Sequence, residues 1–198
     1  NGVLQVKDGL KFTPTLLLVT PEAGMMEFYD GRWYITGTAK QRVIDRTGGV
    51  IVATTTVASS NAETTLYTET LSANAMKAGR LYLLHLDGYI ENTASADLTW
   101  NIYLGADLIH TVTPAAINYS AGAFWHLDFN ITIRTPGDPG TAASHGHIVI
   151  AGLDTAFSST TVAPHTNIAN VIKVMVQWAA ADARNTVSIY QGYVNFRN

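Results

Sequence analysis

The sequence predicts an all-β protein: a jelly-roll-like antiparallel β-sandwich preceded by an extended N-terminal segment and a β-hairpin. Runs of alternating apolar and polar residues recur along the chain with turn-forming residues between them, as in strands that bury one face. The hydrophobic fraction is 47%, which is enough to give two sheets a shared core. Segments that favour a helix, at 167–172 and 179–184, are short.

The composition excludes several classes of protein. Only 14% of the residues are charged, against about 25% in an average soluble domain, and a chain this apolar is not intrinsically disordered. The sequence has no cysteine, so thiolate metal sites and thiol catalysis are excluded. The net charge of −3 does not fit a nucleic-acid-binding protein. No apolar run approaches the roughly 18 residues of a membrane span, and no cofactor is expected.

Residues 1–47 are predicted to form an N-terminal shaft or anchor. Residues 1–20 fit short extended segments, and Asp30-Gly31 is a two-residue signal for a type I′ turn between strands at 25–29 and 32–36. A lone hairpin is marginally stable in water, so we expect an interface with a partner to cover its apolar face. The residues predicted for that interface are Met26, Phe28, Trp33 and Ile35.

The predicted domain boundary lies in the most charged part of the chain. Segment 38–49 contains Lys40, Arg42, Asp45 and Arg46 and ends in Gly48-Gly49, which is typical of a linker or neck. The β-sandwich is therefore predicted over residues 48–198.

Two strands at the centre of the predicted sandwich organise the rest. Residues 80–91 are rich in Leu and Tyr, and residues 97–104 alternate apolar and polar side chains with period two. The polar segment 92–96 between them predicts a turn, and the two strands are expected to pair as a hairpin. The remaining predicted strands are 50–57, 63–71, 106–113, 123–134, 145–151, 171–178 and 186–196.

Segment 21–36, PEAGMMEFYDGRWYIT, resembles a segment of tailed-bacteriophage fibre and appendage proteins. In those proteins a Pro-x-Ala-Gly turn leads into an apolar–Glu–aromatic strand, a Tyr-Asp-Gly turn and an aromatic return strand. Segments 68–82, 88–93 and 127–137 also resemble the jelly-roll domains of such proteins. The matching hairpin positions are Pro21, Ala23, Gly24, Glu27, Tyr29, Asp30, Gly31 and Tyr34.

The resemblance implies a virion structural protein on the exterior of a phage particle. It implies a homotrimeric tail fibre or spike, in which the apolar hairpin faces of three identical chains would cover one another. The N-terminal part would join other virion proteins, and the sandwich would bind a host-surface receptor, for which a glycan is expected. A capsid-decorating head fibre is the alternative. We expect no enzymatic activity. A polysaccharide hydrolase is a third, less favoured reading, because it needs two acids about 5–9.5 Å apart and the acids of the sandwich are scattered singly.

Two groups of residues are candidates for binding. His145 and His147 would lie on one face of a strand about 7 Å apart and could bind zinc or nickel with a third ligand, although exposed histidines without a metal are the simpler reading. His85, between two leucines, is predicted to be a core histidine, and Asp128 is predicted to face solvent or an interface without a special role.

Aromatic side chains form the second group, because their rings stack on sugars. Of Trp100, Trp125, Trp178, Tyr82, Tyr89, Tyr103 and Tyr119, the first two are predicted to be core residues. Tyr119 is predicted to be exposed in the loop 114–123. Together with Asn92 and Thr93 at the tip of the central hairpin, it is a candidate receptor contact.

Overall fold

The computed structural model describes residues 26–29, 32–36, 41–43, 47–48, 51, 53–72, 75–92, 96–115 and 119–197. Before residue 51 the description covers the backbone alone. The predicted extended segment at 1–20 and the candidate receptor residue Thr93 lie outside these residues. The chain divides into two compact units, Asn1–Arg46 and Thr47–Asn198.

The first unit contains a three-stranded antiparallel sheet. Strands β1 (Met26–Tyr29) and β2 (Arg32–Thr36) are joined at Asp30-Gly31, and β2 also pairs with β3 (Gln41–Val43). The predicted hairpin is therefore confirmed. The third strand of this sheet, β3, was not predicted, because it lies in the charged segment whose composition is typical of a linker.

The second unit is an all-β sandwich. No helix occurs among the residues that the structure describes, so none of them forms a helix that could cross a membrane. The strands are β4 (Thr47–Gly48), β5 (Thr55–Ala58), β6 (Thr64–Leu71), β7 (Leu81–Asn92), β8 (Leu98–Leu104), β9 (Asp107–Val112), β10 (Tyr119–Thr135), β11 (Thr141–Ile150), β12 (Leu153–Val162), β13 (Asn170–Trp178) and β14 (Thr186–Arg197).

The strand order is that of a jelly roll with one hairpin added. Four strands follow the order β5-β14-β7-β10 in one sheet, and four follow the order β6-β13-β8-β9 in the other. The chain passes back and forth between the sheets, as two interlocked Greek keys require. Strands β11 and β12 extend the first sheet beyond β10, and β4 pairs with the far end of β14. The predicted fold class is confirmed.

The strands of the central pair are found where they were predicted, but they do not pair with each other. β7 pairs with β10 and β14 in the larger sheet, whereas β8 pairs with β9 and β13 in the smaller one. The predicted hairpin is thus wrong: its polar segment connects one layer of the sandwich to the other. Both strands have one apolar face because those faces meet across the core.

Large aromatic side chains fill the space between the sheets. Trp100 and Trp125 pack edge to face with ring centroids 4.7 Å apart, an arrangement that aromatic pairs prefer. Gly88 makes room for Trp125, because a β-carbon there would lie 2.6 Å from the indole ring. Trp178 and Tyr82, named above as possible stacking residues, are also buried, so these four rings stabilise the core.

Candidate functional site

Histidine and aspartate side chains are concentrated on the outer face of the larger sheet. Strand β7 buries its even-numbered residues, so that His85 and Asp87 point outward. The pairing register aligns outward positions of five neighbouring strands in two cross-strand rows. Read from β14 to β12, the rows are Gln191, Asp87, His126, Val149 and Asp154, and Tyr193, His85, Asp128, His147 and Ala156.

His85 bridges two carboxylates at the centre of these rows. Its Nδ1 lies 2.6 Å from Asp128 Oδ1, and its Nε2 lies 2.8 Å from Asp87 Oδ2. A neutral imidazole has one N–H, so the doubly protonated ring fits both carboxylates best. Partial burial acts to lower the pKa of His85, but the hydrogen bond to Asp128 and the nearby carboxylate charges outweigh it and raise the pKa.

His147 lies on the other side of the Asp128 carboxylate. Its Nε2 is 3.3 Å from Asp128 Oδ2, and its Nδ1 is 3.3 Å from Asp154 Oδ1. Partial burial acts to raise the pKa of Asp128, but the hydrogen bonds and charges of the surrounding histidines, His85 foremost, lower it overall. Asp128 therefore remains a carboxylate in the middle of a histidine cluster.

His126 completes the cluster. Its ring packs edge to face against His147 with centroids 5.8 Å apart. His126, Asp128 and His147 each offer one ligand atom, and these atoms lie within 4.8 Å of one another. All three side chains are half-buried. Two imidazoles and one carboxylate form a donor set that transition-metal ions use in proteins.

An open groove of about 770 Å³ adjoins this cluster. Its polar lining includes Asp87, His126 and Gln191, and its apolar lining includes Phe124 and Tyr190. The two aromatic side chains are 74% and 49% exposed, which is unusual for rings of this size. A groove that combines exposed rings with a carboxylate and an amide is suited to a ligand with both apolar faces and hydroxyl groups.

Irregularities in two strands create the groove. The pairing of β7 with β14 shifts register between Ile189 and Gln191, and its pairing with β10 shifts between Tyr119 and Ala123. The first irregularity places Tyr190 on the surface beside Gln191. Bulges redirect side chains and often border binding sites.

The second irregularity depends on Gly122. Its φ of +74° lies in the left-handed region, and a β-carbon there would lie 2.0 Å from the hydroxyl oxygen of Tyr89. Tyr89 donates that hydroxyl hydrogen to the carbonyl of Ala121 at 2.8 Å. The bulged strand is therefore held by a specific contact, and the neighbouring Phe124 ring packs edge to face on Tyr89 at 5.4 Å.

The two histidines predicted as metal ligands, His145 and His147, both lie on the outer face of β11, but they contact different residues. His147 belongs to the cluster with His126 and Asp128. His145 lies one row away, with its Nε2 3.2 Å from Nδ2 of Asn130. The candidate donor set thus contains His147 but combines it with residues of a neighbouring strand.

Of the predicted receptor residues, the structure describes Asn92 and Tyr119, and neither lies in an exposed loop. Asn92 is 3% exposed, and its amide bonds both backbone groups of Ala96, which removes it from the surface where a glycan contact was predicted. Tyr119 belongs to strand β10 rather than to a loop, and it is half-buried against the core. Its burial raises the pKa of its phenol.

Sequence reasoning missed the roles of His85, Asp128 and His126. His85 is not a core residue: its side chain is 30% exposed, and Leu84 and Leu86 on either side are the buried ones. The alternation of the strand does predict that His85 is exposed, because a residue between two inward-pointing leucines points outward. The cluster itself could not be read from the sequence, because its members lie on different strands.

Fold and site together define an antiparallel jelly roll that carries a histidine–aspartate cluster beside an aromatic groove on one outer face. No protein-family model and no curated protein matches this sequence. Among solved structures, the VP2 subviral particle of infectious bursal disease virus is similar, with a TM-score of 0.32 and 12% sequence identity. That alignment covers 89% of this chain and 40% of the VP2 chain, so the present chain spans less than half the length of that protein.

Proposed function

We propose that this chain is a virion structural protein of a tailed bacteriophage, a homotrimeric tail fibre or spike on the exterior of the particle. Its β-sandwich binds a host-surface glycan, and its N-terminal part joins other virion proteins. The phage assignment rests on the resemblance of segment 21–36 and of three sandwich segments to appendage proteins. The observation that carries glycan binding is the groove between Phe124 and Tyr190, with Asp87 and Gln191 beside them.

The chemistry of the groove favours a sugar ligand. The apolar faces of a pyranose ring stack on exposed aromatic side chains, while its hydroxyl groups bond carboxylate and amide groups. The Gln191 amide donates to Asp87 Oδ2 at 3.1 Å, and this holds the two polar groups at one side of the groove. A trimer would present three such grooves, and multivalent attachment strengthens weak single contacts by a factor of about 10²–10⁴.

A binding assay with polysaccharide from the host envelope tests the groove. Phe124→Ala and Tyr190→Ala each remove one exposed ring, and each is expected to weaken binding about threefold to tenfold. Leu108→Ala is the matched control, because Leu108 is 51% exposed and lies on β9 of the other sheet. Equal binding by all four proteins would place the receptor contact elsewhere.

Two further experiments separate the alternatives. Gold-labelled antibodies against this chain, bound to intact virions, would mark the tail for a fibre or spike and the capsid for a head fibre. Release of oligosaccharides from envelope polysaccharide by the purified chain would contradict a non-enzymatic role and identify a hydrolase. We expect tail labelling and no release.

A further inference from the structure

We propose that His126, Asp128 and His147 form a binding site for a divalent transition-metal ion of the zinc type. The site lies on the outer face of the larger sheet, and two imidazoles and one carboxylate supply its ligands. The proposal is independent of glycan binding, since Asp128 and His147 do not line the groove. His126 belongs to both, which places the metal at the edge of the groove.

The distances within the cluster fit a shared ion. Zinc binds nitrogen and oxygen ligands at about 2.0–2.2 Å in a tetrahedral arrangement, which places neighbouring ligand atoms about 3.3–3.5 Å apart. The Nε2 of His147 lies 3.3 Å from Oδ2 of Asp128. This is longer than the roughly 2.7–2.9 Å of a hydrogen bond between a charged nitrogen and a carboxylate.

His126 reaches the same point through a small side-chain movement. Its ligand atom lies within 4.8 Å of the other two, so it has to approach by at most about 1.5 Å to bind at the zinc distance. The side chain is half-buried at an outward position of β10. Rotation about its side-chain bonds supplies this movement without a change in the strand.

The surrounding residues hold two of the three ligands in the orientation that a metal needs. Asp154 faces Nδ1 of His147, so Nδ1 can keep its hydrogen while Nε2, which faces Asp128, gives up its own hydrogen to bind the metal. His85 holds Oδ1 of Asp128 at 2.6 Å and leaves Oδ2 directed at His147. Carboxylates behind metal-binding histidines, and hydrogen bonds to metal-binding carboxylates, are the usual supports of such sites.

The added hairpin of the jelly roll is what creates this arrangement. His126 and Asp128 lie on β10, whereas His147 and Asp154 lie on β11 and β12, the two strands beyond the eight of the jelly roll. Three protein ligands leave a fourth position of a tetrahedral ion for water or another donor. Histidine nitrogen together with one carboxylate favours zinc and its neighbours over calcium or magnesium.

Titration calorimetry of the full chain with zinc chloride near neutral pH tests the proposal. We expect one zinc ion per chain, a rise in the melting temperature on zinc addition, and reversal of that rise by a chelator. His126→Gln and His147→Gln should abolish the stoichiometric binding. Asp154→Asn, which removes a supporting group, should weaken it about 10–100-fold.

His145→Gln is the matched control, because this histidine lies on the same face of β11 two residues from His147 but outside the cluster. It should leave zinc binding unchanged. Circular dichroism verifies that each variant is folded. Absence of stoichiometric binding to the unmodified chain would overturn the proposal, as would equal weakening by His145→Gln and His147→Gln, which would show diffuse binding to surface histidines.

Discussion

Among the histidines that the structure describes, His110 is the most deeply buried. It is 8% exposed, its Nε2 lies 2.8 Å from the Ser144 hydroxyl, and its ring lies 4.8 Å from that of Phe157 and 5.9 Å from that of Phe129, between centroids. Burial lowers the pKa of His110 below its ordinary value. The neutral ring is therefore the form that stabilises the folded state.

This lowered pKa predicts a loss of stability in mild acid. The unfolded chain takes up a proton at His110 below about pH 6.5, whereas the folded chain does so only at lower pH. The free energy of unfolding should therefore be unaffected by His110 above that pH and should fall as the pH drops towards the folded-state pKa. His110→Gln preserves a polar partner for Ser144 and cannot protonate, so this part of the pH dependence should disappear.

Urea denaturation at a series of pH values between about 5 and 7, above the usual range of carboxyl groups, measures the effect. The comparison is the difference between the unmodified protein and each variant, which cancels the contributions of other histidines. His145→Gln serves as the exposed control and should keep the acid sensitivity. A curve for His110→Gln that runs parallel to that of the unmodified chain would contradict the assignment.

At the scale of the elements, Asn92 determines how the chain leaves the larger sheet. Its Nδ2 donates to the carbonyl of Ala96 at 2.6 Å, and its Oδ1 accepts from the backbone N–H of Ala96 at 3.1 Å. The side chain is almost completely buried. These two bonds satisfy the backbone N–H and carbonyl of Ala96, which lies between β7 and β8 and belongs to neither strand.

We therefore expect Asn92→Ala to destabilise the sandwich. The substitution leaves two backbone groups of the half-buried Ala96 without their partner, and an unsatisfied polar group costs about 1–3 kcal/mol where it is fully buried. Denaturant unfolding monitored by tryptophan fluorescence measures the loss. Glu91→Ala, at the exposed neighbouring position, is the control and should change stability by less than about 0.5 kcal/mol. Equal stability of the two variants would refute the role of Asn92 in the crossover.

The same elements show what the sequence can predict. Alternation is a local property, so β7, β8, β10 and β13 were located from their buried faces. β12 was missed because its sequence, LDTAFSSTTV, has few large apolar residues, and Val162 at its end is the one buried position among the residues described in this strand. Pairing partners are set by contacts far apart in the chain. For this reason the two central strands were expected to form a hairpin although they lie in opposite layers.

The candidate site was predictable only in part for the same reason. His147 was singled out because it is near His145 in the sequence, but its actual neighbours, His126 and Asp128, come from another strand through the β10–β11 register. The groove depends on two register shifts beside β7. Neither shift has a turn signal in the sequence, although Gly122 marks one of them by its left-handed backbone.

At the scale of the whole molecule, we expect the two units of the chain to have different roles, ligand binding in one and trimer formation in the other. The unit 47–198 contains the complete jelly roll, its core and the candidate site, so we expect it to fold without residues 1–46. The unit 1–46 contains the three-stranded sheet on which the proposed trimer depends. In that sheet Met26 pairs with Ile35 and Phe28 pairs with Trp33, and directly opposed residues of antiparallel strands share one face.

The trimer is tested by the mass of the particle in solution. Sedimentation equilibrium of the full chain should give three times the chain mass of 21.3 kDa, and the fragment 47–198 should sediment as a single chain.

The double variant Phe28→Ser with Trp33→Ser should lower the mass towards one chain, because it removes apolar area from the proposed interface. Glu27 pairs with Tyr34 on the alternate positions of the same strands, so Glu27→Ser with Tyr34→Ser is the matched control and should remain trimeric. A full chain that sediments at the mass of one copy would remove the trimer from the proposal, and equal dissociation by the two double variants would show that the association does not depend on one face of this sheet.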